Sequence, residues 1–326
     1  MAVYFLNMKT FGRANGSSAI SAIAYRSGER IRDERTGRIH DHSGRAGVIN
    51  KEIVLPGKLA DTDLSWAKDR ATLWNAVEAA ESRSNARVAR EFLVALPAEL
   101  TPEQRLGLVR DYSRELVERY QFALDFAIHE PRTDPRNYHA HLLATTREIN
   151  SAGFGAKTTL ELNDTNRMHR GLPPFFQELA ETRARWANMA NAALRDAQLP
   201  VRVDHRSLAA QGIDREPGLR LPRAIYEMER RGERNDLAER LRAEHETRVQ
   251  ERLERAAAQL APVALPLVPA ARPIANGERA AIPAAQSLEE TRRQARENWL
   301  RLRQAQAAPA PTAGDAARTR DDDLSR

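Results

Sequence analysis

The 326-residue sequence contains no cysteine, which removes disulfides and thiolate metal ligands together. Any metal centre must therefore use nitrogen and oxygen donors. No run approaches the ~18 to 20 apolar residues of a membrane span, and the start, MAVYFLNMKTFGR, lacks an apolar export core. A soluble, cytoplasmic protein is expected. Lysine is scarce: of 51 basic residues only five are Lys, so arginine carries the net charge of +6. Guanidinium groups suit bidentate phosphate contacts and stacking on bases, which favours a polyanionic partner. Acidic residues interleave with them, however, and an ordinary solvated arginine surface has the same composition. A phosphate-binding GxxxxGK[ST] loop is missing too; Lys157 in GFGAKTT does not fit that spacing, so ATP hydrolysis is not expected.

What is present is enough chain for one large or two ordinary domains. AVYFLNM reads as a strand, SSAISAIAYRSGER as a helix, RIRDERTGRIHDHSGRAG as an Arg-rich loop, and EIVLP as a short strand. Asp63 can cap a helix through Trp66, Leu73, Trp74 and Val77, whose spacing gives an apolar face; these tryptophans read as core. A strand follows at RVAREFLVALP. Thr101 as N-cap, Pro102 at the first helical position and Gln104 closing a capping box mark a helix to Tyr120. In QFALDFAIH, Phe122, Leu124, Phe126 and Ile128 alternate with Ala123, Asp125, Ala127 and His129, the period of a strand. HAHLLATTRE is its natural antiparallel partner across the turn EPRTDPRN. A Gly-containing loop, NSAGFGAKTT, and a helix over 174–197 come next. Residues 224–260 are Arg/Glu-rich with sparse leucines, a solvent-exposed helix. Residues 261–286 have an Ala/Pro-rich linker composition, Ser287 with Glu290 can start one short helix through RENWLRLR, and the tail APAPTAGDAARTRDDDLSR reads as disordered.

The segment NYHAHLLATTR sets two histidines one residue apart in a strand. Strand side chains alternate, so His139 and His141 share a face, with backbones roughly 6.5 to 7 Å apart. His129 joins that face if the two strands pair as a hairpin. Three neutral imidazoles would leave coordination positions open, as in a catalytic site. A bare HxH more often decorates a solvated sheet face, and the three histidines alone leave both readings open.

Four blocks in order over residues 1–220 resemble the MobA/MobL-type relaxases, HUH endonucleases that nick a plasmid's transfer origin: MKTFGRANGSSAISAIAYRSGER, SNARVAREFLVALPAEL, HEPRTDPRNYHAHLLATTRE and VDHRSLAAQGIDREPG. The resemblance implies an α+β fold, a mainly antiparallel five-stranded sheet with flanking helices. Residues 1–220 would be the relaxase domain, 221–260 a charged helical extension and 261–326 linker, short helix and tail. It maps His129, His139 and His141 to the metal triad and Tyr25 to the nucleophile. Glu91 matches a position near the metal, where it would ligate or orient a histidine; a surface ion pair with Arg90 or Arg87 is the other reading. Tyr138 stands where many relatives have proline, and alternation turns it away from the metal face.

A metal-polarised phosphodiester and a phenol give transesterification, a 5′-phosphotyrosine and a free 3′ hydroxyl. Mg²⁺ or Mn²⁺ is the ion the resemblance implies, and imidazoles also suit Zn²⁺ or Ni²⁺. Arg26, Ser27 and Arg30, beside Tyr25, can contact flanking phosphates, though a solvated helix end is as ordinary a reading. Asp134 either lies near the metal or shapes its turn; Asp41 with His42 is loop polarity or site support. The loop from Arg26 to Lys51, with Trp66, Trp74 or Phe154 for stacking, could hold single-stranded DNA. Expected partners are single-stranded or locally melted transfer-origin DNA, accessory relaxosome proteins and a type IV secretion coupling protein, with transfer to a recipient cell alongside the DNA. The rival readings are a replication initiator or transposase with the same chemistry, a non-catalytic origin-binding accessory, and a phosphodiesterase that uses water.

Overall fold

Residues 3–131 and 134–259 are described by the structure, a computed structural model. The expected linker, terminal helix and tail of residues 261–326 lie outside the described residues. Strands β1 (Leu6–Gly12), β4 (Val48–Val54), β5 (Arg87–Ala95), β6 (Phe122–His129) and β7 (His139–Asn150) form one antiparallel sheet in the order β1-β5-β7-β6-β4. These are the five strands expected. A sixth, β8 (Gly153–Lys157), hangs on β7. From sequence this stretch reads as a Gly-containing loop, because its glycines mask the alternation. Gly153 at φ 112° turns the chain tightly, and Phe154 then meets Trp66 edge-on at 5.5 Å.

Alternation sends the two halves of each strand to different layers. Phe92, Val94, Phe122, Phe126, Ile128 and Leu142 are buried against α4 (Pro102–Tyr120) and α6 (Phe175–Asp196), where Tyr112 and Trp186 rings lie 4.9 Å apart. The opposite face buries Ala123, Leu143 and Ile149 under α1 (Ala19–Ser27), α2 (Ser65–Lys68) and α3 (Arg70–Ala80). A core on both faces makes the sheet the rigid middle layer. Position 104 closes the capping box of α4 as its sequence requires: Gln104 N donates to Thr101 Oγ1 at 3.2 Å and Thr101 N to Gln104 Oε1 at 2.9 Å.

Three connections differ from expectation. The Arg-rich loop contains a hairpin, β2 (Arg30–Arg32) with β3 (Ile39–Asp41), that buries Ile31. The helix expected through Trp66 and Trp74 breaks at Asp69, whose extended backbone and carboxylate cap α3 by accepting from Thr72 N at 2.8 Å. The charged helix after 224 is two, α7 (Arg223–Arg230) and α8 (Asp236–Gln259), interrupted by Gly232 at φ 79°. A short α5 (Asp164–His169) precedes α6. Ile225 of α7 and Ala238 of α8 are buried with Leu221 in a small cluster against which Leu219 and Leu241 pack, as little core as the sparse leucines predict.

Candidate functional site

The register of β6 and β7 sets His129 opposite His139 and Ala127 opposite His141. All three imidazoles therefore emerge from one face, at the end of the sheet where the hairpin turns. Their ring centroids are 4.8 to 5.3 Å apart, and one nitrogen from each lies within 4.8 Å of the others. The rings are not free to spin. His129 Nε2 donates to the carbonyl of Arg26 at 2.7 Å, His139 Nδ1 to the carbonyl of Asn137 at 2.8 Å, and His141 Nδ1 to Glu91 Oε1 at 2.7 Å. A carbonyl or carboxylate can only accept, so each bond fixes a tautomer and leaves the other ring nitrogen with its lone pair. The donor set thus fits a divalent ion: three neutral nitrogens, no thiolate, and a hydrogen-bonded outer layer holding each ring.

Burial favours the neutral form of these rings. It lowers His129 to about 4, the Arg26 carbonyl opposing and the neighbouring histidines and Arg45 adding to the shift. His141 is lowered too, burial outweighing its bond to Glu91. Glu91 itself is fully buried. Burial alone would raise its carboxyl, yet hydrogen bonds from His141 and Arg26 and the Arg26 charge hold it far below the usual carboxylate range. Lys9, opposite it on β1, sits 2.9 Å from Oε2. Of the two roles considered for Glu91, orienting a histidine is the one the contacts match; Arg87 and Arg90 pair with Glu161 instead.

Tyr25 lies in the last turn of α1 and is 42% exposed. Ser18 caps the helix start, accepting from Ser21 N, and Glu78 Oε1 takes the Ala19 N–H at 2.7 Å. Gly28, at φ 64°, ends it. At that end the neighbouring Arg26 carbonyl holds His129, so the tyrosine's helix and the histidine cluster are tied by one hydrogen bond. Arg45 lies beside both: its guanidinium covers the Tyr25 ring at 3.7 Å, Nη1 donates to the Tyr25 carbonyl at 2.9 Å, and Nη2 is 3.5 Å from His129 Nδ1, the nitrogen that a bound ion would claim. The His42 ring meets Tyr25 edge-on at 5.3 Å.

The residues expected at phosphates separate. Arg26 is buried, paired with Glu91, bonded to the Ala22 carbonyl and stacked on Phe11 at 4.7 Å. Ser27 is buried and its hydroxyl donates to the Ile23 carbonyl at 2.9 Å. Both are corrected to interior roles, because the helix end is packed on the sheet rather than solvated. Arg30 remains on the surface beside Asp41, at 3.4 Å. Asp134 is exposed and outside the histidine cluster; it accepts from Arg136 N at 3.0 Å and so shapes its turn. Tyr138 packs against the α4 side of the sheet under Arg105, as alternation requires. Trp74 is fully buried and donates to Asp125 at 3.0 Å. Sequence reasoning missed the roles of Arg45 and Lys9, although both lie in stretches it singled out; only pairing across the sheet and the return of the loop show what they touch. An apolar depression of about 440 Å³ beside His139 and His141 is walled by Phe5, Leu93 and Leu96. Among the described residues no helix is long and apolar enough to cross a membrane.

A central antiparallel sheet with three convergent imidazoles at the end of its inner strands and a tyrosine-bearing helix docked beside them has the form of a relaxase. The chain belongs to the MobA/MobL family, whose model matches residues 17–231. It is 38% identical over 283 residues to mobilization protein MobL of Acidithiobacillus ferridurans, covering 79% of this chain and 71% of that protein. It is 29% identical over 238 residues to conjugal transfer protein TraA of Agrobacterium fabrum, covering 68% of this chain but only 21% of that protein. A solved structure from work on the molecular basis of vancomycin resistance transfer in Staphylococcus aureus aligns with a TM-score of 0.53 at 30% identity, covering 63% of this chain and 100% of that one.

Proposed function

We propose that this chain nicks one strand of DNA at a plasmid transfer origin by transesterification, with Tyr25 as nucleophile, and so initiates mobilisation. The observation that carries the reading is the hydrogen bond from His129 Nε2 to the Arg26 carbonyl, which docks the Tyr25 turn of α1 on the histidine cluster and leaves His129 Nδ1 for an ion. A phenol at neutral pH is a poor nucleophile, with a pKa near ~10. It becomes competent where the phosphodiester is fixed in line and developing charge is neutralised.

His129, His139 and His141 would hold a divalent cation, Mg²⁺ or Mn²⁺ as the working ion, which when bound draws charge from the non-bridging oxygens of the scissile phosphate. The chain supplies the rest. Glu91 and the Asn137 and Arg26 carbonyls hold the rings in their lone-pair-bearing orientations, and His141 and Arg26 hold Glu91 ionised, with Lys9 paired to its other oxygen. Tyr25 Oη forms a bond to phosphorus while the bond from phosphorus to the 3′ oxygen breaks. The phenol proton is released to water and the departing 3′ oxygen takes one up. One phosphodiester replaces another, so the 3′ hydroxyl can reverse the step and reseal the strand. The substrate is single-stranded or locally melted origin DNA. Accessory relaxosome proteins would melt it, and a type IV secretion coupling protein would accept the conjugate from the donor cytoplasm.

The test is incubation with single-stranded oligonucleotides tiling a candidate origin and Mn²⁺, followed by denaturing electrophoresis. A protein–DNA adduct that survives denaturation is expected, and Tyr25→Phe should lose it while still binding DNA. An adduct in the Phe variant would show that another residue is the nucleophile. Cleavage with no adduct in the wild type would instead favour water as the attacking group.

A further inference from the structure

We infer that Arg45 is the positioning residue for the attacking tyrosine, aiming the Tyr25 ring by lying flat on it while hydrogen-bonded to its backbone. The inference rests on the reading of Tyr25 as nucleophile and adds to it a residue from a different element. Tyr25 is on the outer surface of α1, and a half-exposed phenol on a helix end has free rotation about its side-chain bonds. Two contacts are described on the ring, the stacked Arg45 guanidinium and the edge-on His42 imidazole, and Arg45 is the nearer. Arg45 removes that freedom with two contacts from one guanidinium, over the ring at 3.7 Å and to the Tyr25 carbonyl at 2.9 Å, and its other nitrogen faces His129 at 3.5 Å. A planar cation on an aromatic face is an attractive and direction-dependent contact.

The loop that carries Arg45 is built to stay there. Arg45 N donates to the His42 carbonyl at 2.9 Å, closing a turn, and the His42 ring abuts Tyr25 edge-on. The same turn rests on the end of α1: a Cβ placed on Gly28 would sit 3.6 Å from the Arg45 carbonyl oxygen and 3.7 Å from that of His42. With the ring fixed between a stacked cation and an edge-on imidazole, its oxygen has one direction from which to meet phosphorus. Misaiming an attacking group by about 1 Å costs up to ~10²-fold in rate.

The experiment compares wild type, Arg45→Ala, Arg45→Lys and Tyr25→Phe, all full-length, in single-turnover cleavage at saturating oligonucleotide and Mn²⁺, with DNA affinity and melting temperature measured on each. Arg45→Ala should form adduct at least ~10-fold more slowly at saturation while its DNA affinity changes by less than about threefold. Arg45→Lys keeps the charge and loses the flat fork, so it should stay closer to Ala than to wild type, and added guanidinium ion should restore part of the rate of Arg45→Ala. Three results overturn the inference: a wild-type rate in Arg45→Ala, a wild-type rate in Arg45→Lys, or a loss explained wholly by weaker DNA binding or unfolding. Each can occur with Tyr25→Phe still inactive, in which case Arg45 is misassigned and the nucleophile stands; an active Tyr25→Phe overturns both.

Discussion

Glu91 shows how much a single side chain can be asked to do. It is wholly buried, accepts from His141, and is balanced by Arg26 and Lys9 from two other elements. Replacing it by Ala would strand the buried Arg26 charge, a loss of about 3 to 5 kcal/mol that would confuse folding with function. Glu91→Gln is the milder change: it also removes the charge that balances Arg26, but its amide oxygen can still accept from both Arg26 and His141, and a melting temperature measured alongside separates folding from function. Mn²⁺ affinity by calorimetry should fall about 10- to 100-fold, the usual effect of losing a partner behind a metal-bound histidine. An unchanged affinity would mean that Glu91 only balances Arg26. His139 depends on a backbone carbonyl, and so offers no comparable substitution.

One helix end organises the site. α1 is held at its start by Ser18 and Glu78, and at its finish Gly28 takes the left-handed conformation that lets the chain turn back into β2. Lys51 from β4 caps the same end by donating to the Ser27 carbonyl at 3.1 Å and pairs with Glu29 at 2.6 Å. Glu29 in turn meets Arg70, which binds the buried Asp125 at 2.7 Å. Gly28→Ala places a Cβ on a φ of 64° and 3.3 Å from a Val48 methyl. The backbone penalty alone is about 1 to 2 kcal/mol, so the melting temperature should drop, and adduct formation should drop further because the Arg45 turn rests on this residue. A variant that melts and cleaves like wild type would show that the helix end tolerates rearrangement.

Across the molecule, a polar site has been set into one end of a two-sided core, and the consequence appears as pH-dependent stability. His129 falls to about 4 in the folded chain from an ordinary 6.5, with burial as the largest cause. The unfolded chain therefore takes up a proton first as pH drops. The stability His129 contributes is complete above about pH 6.5 and is lost on the way down to about 4. His141 shifts in the same direction, while Glu91 begins to matter only below its ordinary 4.5. In a chelator-containing buffer the urea midpoint should decline between pH 6.5 and 4.5, and His129→Asn should flatten that decline. A midpoint constant over this range would contradict the buried, neutral imidazole. Saturating Mn²⁺ should also raise the midpoint, because an ion held only by the assembled triad favours the folded chain.

The sequence by itself determined the strands and helices with clean periodicity, and the shared face of His139 and His141. In β6 and α4 the side chains repeat at the element's own period, and their neighbours in sequence are enough to specify them. It also supplied the family, through four blocks that no single spacing could match by accident. It did not determine β8, where glycine leaves no pattern, nor the break at Asp69, where a capping carboxylate overrides an apolar stripe. Tertiary structure alone decided the fates of Arg26 and Ser27, which look like surface groups beside a tyrosine and are buried because the helix end docks on the sheet, where Arg26 meets Glu91. It alone brought Arg45 to His129 and Lys9 to Glu91 from a loop and a strand far away in the chain. The physical reason is range: local periodicity sets which way a side chain points, whereas charge partners and stacked rings are fixed by cross-strand register and by the packing of one layer on another.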